Sequence, residues 1–125
     1  MIRPIRVVHV IDDLGLGGAQ RQLVELVKAL PRDEYEPQVV SLSTEKAAYA
    51  EALRRAGVPL TLIPHAGTWS WATGWRLFRL IRSAAPAIVQ TWLFTADLYG
   101  RVAALLAGVP VIVSAVRSVE PWKPW

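Results

Sequence analysis

A chain of 125 residues, 53% hydrophobic and 19% charged, is one domain's worth of polypeptide, too apolar for disorder and too poor in Pro and Gly for a linker. With no Cys, disulfides, thiolate metal sites and cysteine nucleophiles are excluded, and two His leave no room for a His-rich metal centre. The net charge of +4 lies wholly in the second half: residues 1–62 balance eight basic against eight acidic residues, residues 63–125 carry six basic and two acidic, and no acid stands between Glu51 and Asp97. Such a local field suits phosphate, nucleic acid or an acidic membrane; the alternative is an ordinary basic surface.

Residues 5–11 form a continuous β-branched run containing His9, the pattern of a strand buried on both faces. A Gly-rich turn follows at Gly15, Gly17 and Gly18. Leu23, Leu26, Val27 and Leu30 then recur on one helix face until Pro31. The spacing predicts a strand over 37–43, a helix over 46–56 stopped by Gly57, and a strand over 58–63. Residues 67–73 read as a Trp-rich loop, 74–84 as a helix closed by Pro86, 87–91 as a strand, 95–107 as a helix ending at Gly108, and 109–116 as a fifth strand. Strands alternating with helices imply a parallel sheet covered on both faces, with right-handed crossovers and strand order 3-2-1-4-5. Ligands in such sheets bind beyond the carboxyl ends of the strands at the switch point, which lies between the first and fourth strands and is lined by residues 12–18, 92–95 and 117–120.

No targeting or spanning segment is evident. The apolar run at 7–11 stops at Asp12, too short for a signal sequence, and residues 102–116 fall short of the ~20 that cross a bilayer. The expected location is cytoplasmic, with attachment to the inner face of the plasma membrane as the further option.

Glycines between a buried strand and a helix start let a backbone approach a ligand, and free N–H groups at the helix N-terminus attract anions; a plain tight turn is the alternative. A dinucleotide fingerprint is incomplete, because Gln20 stands at the third glycine position and no acid follows the second strand. A phosphate-binding Gly-Lys-Ser/Thr is absent as well. Asp12 and Asp13 are adjacent, so their side chains diverge and make no obvious two-carboxylate metal clamp; one begins the loop and the other contacts backbone or solvent. His9 reads as a satisfied core histidine, His65 lies on the far side of the sheet, and no Ser-His-Asp set is present. Trp92 and Arg117 follow the fourth and fifth strands and face the crevice, where an Arg can hold a phosphate or carboxylate; alternatively Trp92 closes the sheet edge and Arg117 pairs with Glu120.

On the helix preceding Pro86, Leu77, Leu80, Ile81 and Ala84 share the core face. Trp75, Arg79 and Arg82 lie opposite, joined by Trp71 if the helix begins that early. Interfacial Trp beside basic residues suits a membrane surface; packing against a partner domain or loop is the alternative.

The segments "VIDDLGLGGAQRQLVELVKAL", "EALRRAGVPL" and "VQTWLFTADLYGRVAALLAGVPVIVSAVRS" resemble the N-terminal half of family-4 glycosyltransferases, the retaining GT-B type, over essentially the whole chain. The resemblance implies a Rossmann-like doubly wound domain, one half of a GT-B architecture, facing a second domain that binds a nucleotide-diphosphate sugar. It implies no metal or other cofactor and no nucleic acid. Gly17 and Gly18 map to the loop that approaches the donor phosphates or sugar, and Gln20, Trp92, Thr95, Arg117 and Glu120 to the acceptor cleft. Many members carry His after the fifth strand, where Arg117 stands here, and relatives often show His at the position of Thr95. Members that use lipid-linked acceptors dock peripherally through this half, which fits Trp71, Trp75, Arg79 and Arg82.

Two Rossmann-like domains exceed this length. Residues 1–125 are therefore expected to be a truncated acceptor-side domain, inactive alone and binding nucleotide sugars weakly or not at all. A non-catalytic membrane-docking subunit that recruits a separate donor-binding chain is the competing reading. A small signalling domain ranks behind both, because His65 and Ala66 stand where the third strand would need an acid.

Overall fold

Five strands, each rich in Val, Ile or Leu, pair in parallel in the computed structural model, which describes residues 4–44, 47–64 and 70–115. They are β1 (Ile5–Ile11), β2 (Tyr35–Ser41), β3 (Leu60–Leu62), β4 (Ile88–Trp92) and β5 (Val111–Ala115), in the order β3-β2-β1-β4-β5. This is the expected doubly wound sheet with its switch point between β1 and β4. β1 registers Val7 against Pro37 and Ile88, and Ile11 against Ser41 and Trp92. Alternation along β1 feeds two cores. Val8 and Val10 join Val40, Val89, Leu77 and Ile81 on one face, while Ile11 joins Val39, Leu23 and Val27 on the other.

β2 begins two residues before the expected start, and Pro37 inside it costs no ladder bond. Val39 donates its N–H to Pro59 on the β3 side. Pro37, two residues earlier, turns its ring nitrogen the same way before β3 begins at Leu60.

The helices are α1 (Gly18–Ala29), α2 (Ala50–Arg55), α3 (Trp71–Ala84) and α4 (Phe94–Ala107). On α1 the buried stripe is Ala19, Gln20, Leu23, Val24 and Val27, rotated from the expected face so that Leu26 meets solvent. α3 starts three residues before the expected Gly74, because Ser70 caps it: the Ser70 hydroxyl accepts the Thr73 N–H at 3.3 Å. The Tyr99 hydroxyl of α4 accepts the Ser70 N–H at 2.6 Å, fastening the two helices at this end. Gly100 lets α4 lie close on the sheet; a Cβ there would sit 2.5 Å from the Thr91 methyl.

One tetrapeptide ends two helices. In Ala56-Gly57-Val58-Pro59 and Ala107-Gly108-Val109-Pro110 the glycines take φ of 74° and 75°. The following valines donate N–H to Leu53 and Ala104 at 3.0 Å, closing α2 and α4 in the six-to-one pattern of a Schellman motif. The valines are spent on helix closure, so β3 and β5 start at Leu60 and Val111, two residues later than their apolar runs suggest.

Candidate functional site

β1 and β4 diverge at their carboxyl ends into α1 and α4, whose N-termini both open on the switch-point crevice. The two helix starts are handled differently. At α4, Asp12, the first residue after β1, reaches across the switch point. Its carboxylate accepts the backbone N–H groups of Thr95, at 3.2 Å, and of Ala96. The carboxylate thus sits at the positive end of α4 as a cap supplied from elsewhere in the chain. Burial raises the Asp12 pKa, and this outweighs the lowering by the hydrogen bonds from Ala96 and Thr95; the neighbouring Asp13 charge adds to the rise.

Asp13 turns the other way. Its Oδ1 accepts the Gly15 N–H and the Gln20 side-chain N–H, each at 2.9 Å. Gln20 is consequently buried, with its amide folded over Gly17, where a Cβ would collide with Oε1. Gly17 is the N-cap of α1 in extended backbone, with no side-chain cap bond, and no acidic residue stands in the first turn. A Cβ built at Gly18 meets nothing within 4 Å. Of the two helix N-termini at the crevice, one is filled by Asp12 and the other, among the described residues, has no side-chain cap and adjoins a glycine with space around it.

The junction from β4 to α4 is strained. Leu93 has φ 74° and ψ 172°, a region that glycine alone visits freely. Before it, Trp92 is 4% exposed and packs behind the crevice with Leu23 and Val39 rather than on its surface. Its indole N–H donates to His9 Nδ1 at 3.2 Å. That bond places the imidazole proton on Nε2, which is buried and has no partner among the described residues. His9 is therefore half satisfied, not the fully satisfied core histidine expected. Burial lowers its pKa to about 4.

Of the sequence-derived site residues, Gly17, Gly18, Gln20, Trp92 and Thr95 gather at this end of the sheet. Arg117, Glu120 and His65 lie outside the described residues. Asp12 is read from the sequence as one of two adjacent carboxylates at the start of the loop, without its reach to α4, and Leu93 is not singled out. An Asp after a buried strand hinted at the first, but its partners lie 83 and 84 positions away. Nothing in the sequence marks the second. Among the described residues no cluster of three or more His, Asp or Glu could hold a metal ion.

Away from the crevice, α3 and α4 lie side by side on one face of the sheet. Trp71 and Trp75 are 80% and 61% exposed, and Arg79 and Arg82 are exposed beside them. No helix among the described residues is long and apolar enough to cross a membrane.

The profile of Glycosyltransferase Family 4 matches residues 16–115. No curated protein matches the sequence. Among solved structures, the C-terminal domain of a hydrogenase from Pyrococcus furiosus superposes with TM-score 0.63 at 12% identity, over 89% of this chain and 91% of that one. A UDP-N-acetylglucosamine 2-epimerase from Listeria monocytogenes superposes at 0.66 and 17% identity, over 91% of this chain and 32% of that one. MurG of Acinetobacter baumannii gives 0.59 and 19%, over 89% and 34%. At these identities the likeness is one of fold, and the chain spans about a third of the length of the latter two proteins.

Proposed function

The chain belongs to Glycosyltransferase Family 4, and from that premise we propose that it forms the acceptor-side half of a retaining enzyme of the GT-B type. In this reading a second domain holds a nucleotide-diphosphate sugar across the crevice, and the sugar passes to a glycan or lipid-linked acceptor without a metal ion. The supporting observation is the contrast between the two helix N-termini at the switch point. Asp12 fills the start of α4, so an incoming anion has no place there. Among the described residues the start of α1 keeps its N–H groups without a side-chain cap, and nothing stands in the approach to Gly18. A helix start of this kind receives the negative charge of a donor diphosphate. Thr95 stands at the α4 side of the same crevice, with Arg117 and Glu120 proposed to complete the acceptor side.

The role of this domain is positional. Transfer needs donor and acceptor held together in a closed cleft, and one wall supplies half of that geometry. The 125-residue chain is therefore expected to bind nucleotide sugars weakly or not at all in calorimetry. The decisive substitution is Gly18→Val in the enzyme that carries this domain. Its side chain enters open space, so the melting temperature holds, while the donor is pushed out of register and kcat/KM falls by about a hundredfold. Unchanged kcat/KM would remove Gly18 from the donor path. Micromolar affinity of the short chain for a nucleotide sugar would overturn the acceptor-side assignment.

A further inference from the structure

The turn from β4 into α4 has no loop. β4 ends at Trp92 and α4 begins at Phe94, so the whole change of direction falls on Leu93. Between β1 and α1, residues 12–17 share the same task. Leu93 meets it with φ 74° and ψ 172°, a backbone that a side chain opposes and that persists only where the surroundings over-determine it. The other non-glycine with positive φ among the described residues, Ala85, ends α3 in the left-handed region that helix stops commonly use. Leu93 stands at the start of a helix, where no such stop is needed.

Contacts on both sides pin it. On the strand side Trp92 pairs with Ile11 across the sheet, and its indole bonds to His9. On the helix side the Leu93 carbonyl accepts the Asp97 N–H at 3.0 Å. The Asp97 carboxylate accepts the hydroxyls of Thr91, at 2.8 Å, and of Ser114, which ties the first turn of α4 to β4 and β5. Those helix-side ties stay on the β4 side of the switch point, and Asp12 supplies the one that crosses it. One carboxylate oxygen takes the Thr95 N–H and the other takes the Ala96 N–H. The Thr95 hydroxyl hydrogen-bonds the same group. Asn could not do this, because its amide nitrogen would face one of the two donors.

We propose that Asp12 is a positioning residue: it holds Leu93 in its strained backbone and thereby fixes Thr95 on the α4 wall of the crevice, in place to receive the sugar acceptor. With one residue between strand and helix, relaxation at Leu93 swings the first turn of α4, and Thr95 moves with it. Asp97 binds that turn to its own side of the sheet, and Asp12 binds it to β1. The use of Thr95 rests on the acceptor-side reading of this domain; the strain that Asp12 holds does not.

The strain is read from melting temperatures of the 125-residue chain. Leu93→Ala and Leu93→Gly both remove the side chain beyond Cβ, and only glycine also removes the strain. The Gly variant should melt about 4 °C above the Ala variant. In the Asp12→Ala background the junction is free to relax, and the order should reverse, because glycine then only adds entropy to the unfolded chain. Asp12→Asn keeps one of the two oxygens and should narrow the difference to about 2 °C, which gives the comparison a second background if Asp12→Ala fails to fold. A Gly-over-Ala advantage of one size in every background would overturn the clamp.

The use of Thr95 is read from the kinetics of the enzyme that carries this domain. Asp12→Asn should raise the acceptor KM about tenfold and leave the donor KM alone. Adding Leu93→Gly lets the backbone reach the same dihedrals without the clamp, and should bring the acceptor KM back to within about threefold of the parent value. No recovery in a folded double variant would overturn the link from Leu93 to Thr95. A rise in donor KM instead, from a chain that passes the melting comparison, would overturn the acceptor-side reading and leave Asp12 as the holder of the strain alone.

Discussion

His9 shows how a single buried group couples this fold to pH. Its Nδ1 accepts from Trp92 and its buried Nε2 has no partner among the described residues, so burial holds the imidazole neutral. The unfolded chain takes up this proton near pH 6.5, and the folded chain does so only near pH 4. On acidification the unfolded state gains the proton first. Stability is untouched above pH 6.5, falls through the window between the two values, and levels off below pH 4. The loss amounts to about 3 kcal/mol. Urea melts at pH 7 and pH 5 should show it, and His9→Gln should flatten that part of the profile. An unchanged slope in His9→Gln would place the titration elsewhere. His9 was legible as a core residue because the β-branched run around it is unbroken. Its missing second partner was not, because Trp92 enters from a strand 83 positions away.

At the scale of elements, the repeated Ala-Gly-Val-Pro explains both the accuracy and the error of the sequence reading. Glycine followed by Val-Pro announces a helix stop and an extended segment, and both stops lie where expected. The starts of β3 and β5 were read two residues early because valine looks like strand, while its N–H is committed to the preceding helix. Both glycines occupy left-handed backbone with space around the missing Cβ, so strain alone opposes a side chain there. Gly57→Ala and Gly108→Ala should each cost about 1 kcal/mol. The two sites share no element, so the double variant should lose the sum. Denaturant midpoints check this, and a loss confined to one site would show that the shared tetrapeptide does not make equivalent caps. The start of α3 was misread for a different reason. Gly74 looks like a helix boundary, but Ser70 supplies the cap and Tyr99 of α4 fixes it, and that contact is tertiary.

At the scale of the whole molecule, strand order and switch point followed from the alternation of strands and helices, because parallel strands and right-handed crossovers leave few topologies. The candidate site was legible as a place rather than as a set of contacts. The glycine bend and the strand ends marked the crevice, but Asp12 filling one helix and sparing the other depends on packing across the sheet. The sheet also ends, among the described residues, on β5, whose Val111 and Val113 are exposed on the face away from Ile112 and Ser114. A flat apolar edge strand recruits other chains. Val113→Lys should reduce self-association of the 125-residue chain in light scattering and leave its melting temperature within a degree or two, since that side chain packs little. Equal scattering by the variant would clear β5 of that role.

α4 ties the two ends of the molecule to one rod. Asp12 grips its first turn at the crevice, and its flank forms one wall of the apolar groove beside α3. If that flank rests on a bilayer, the rod lies along the surface rather than standing on it, and the crevice mouth opens sideways at the height of the headgroups. An acceptor anchored in the same leaflet then reaches the mouth by gliding in two dimensions, and one dissolved in the bulk must find it from above. A membrane-borne acceptor should therefore be consumed faster than its soluble counterpart at equal total amount.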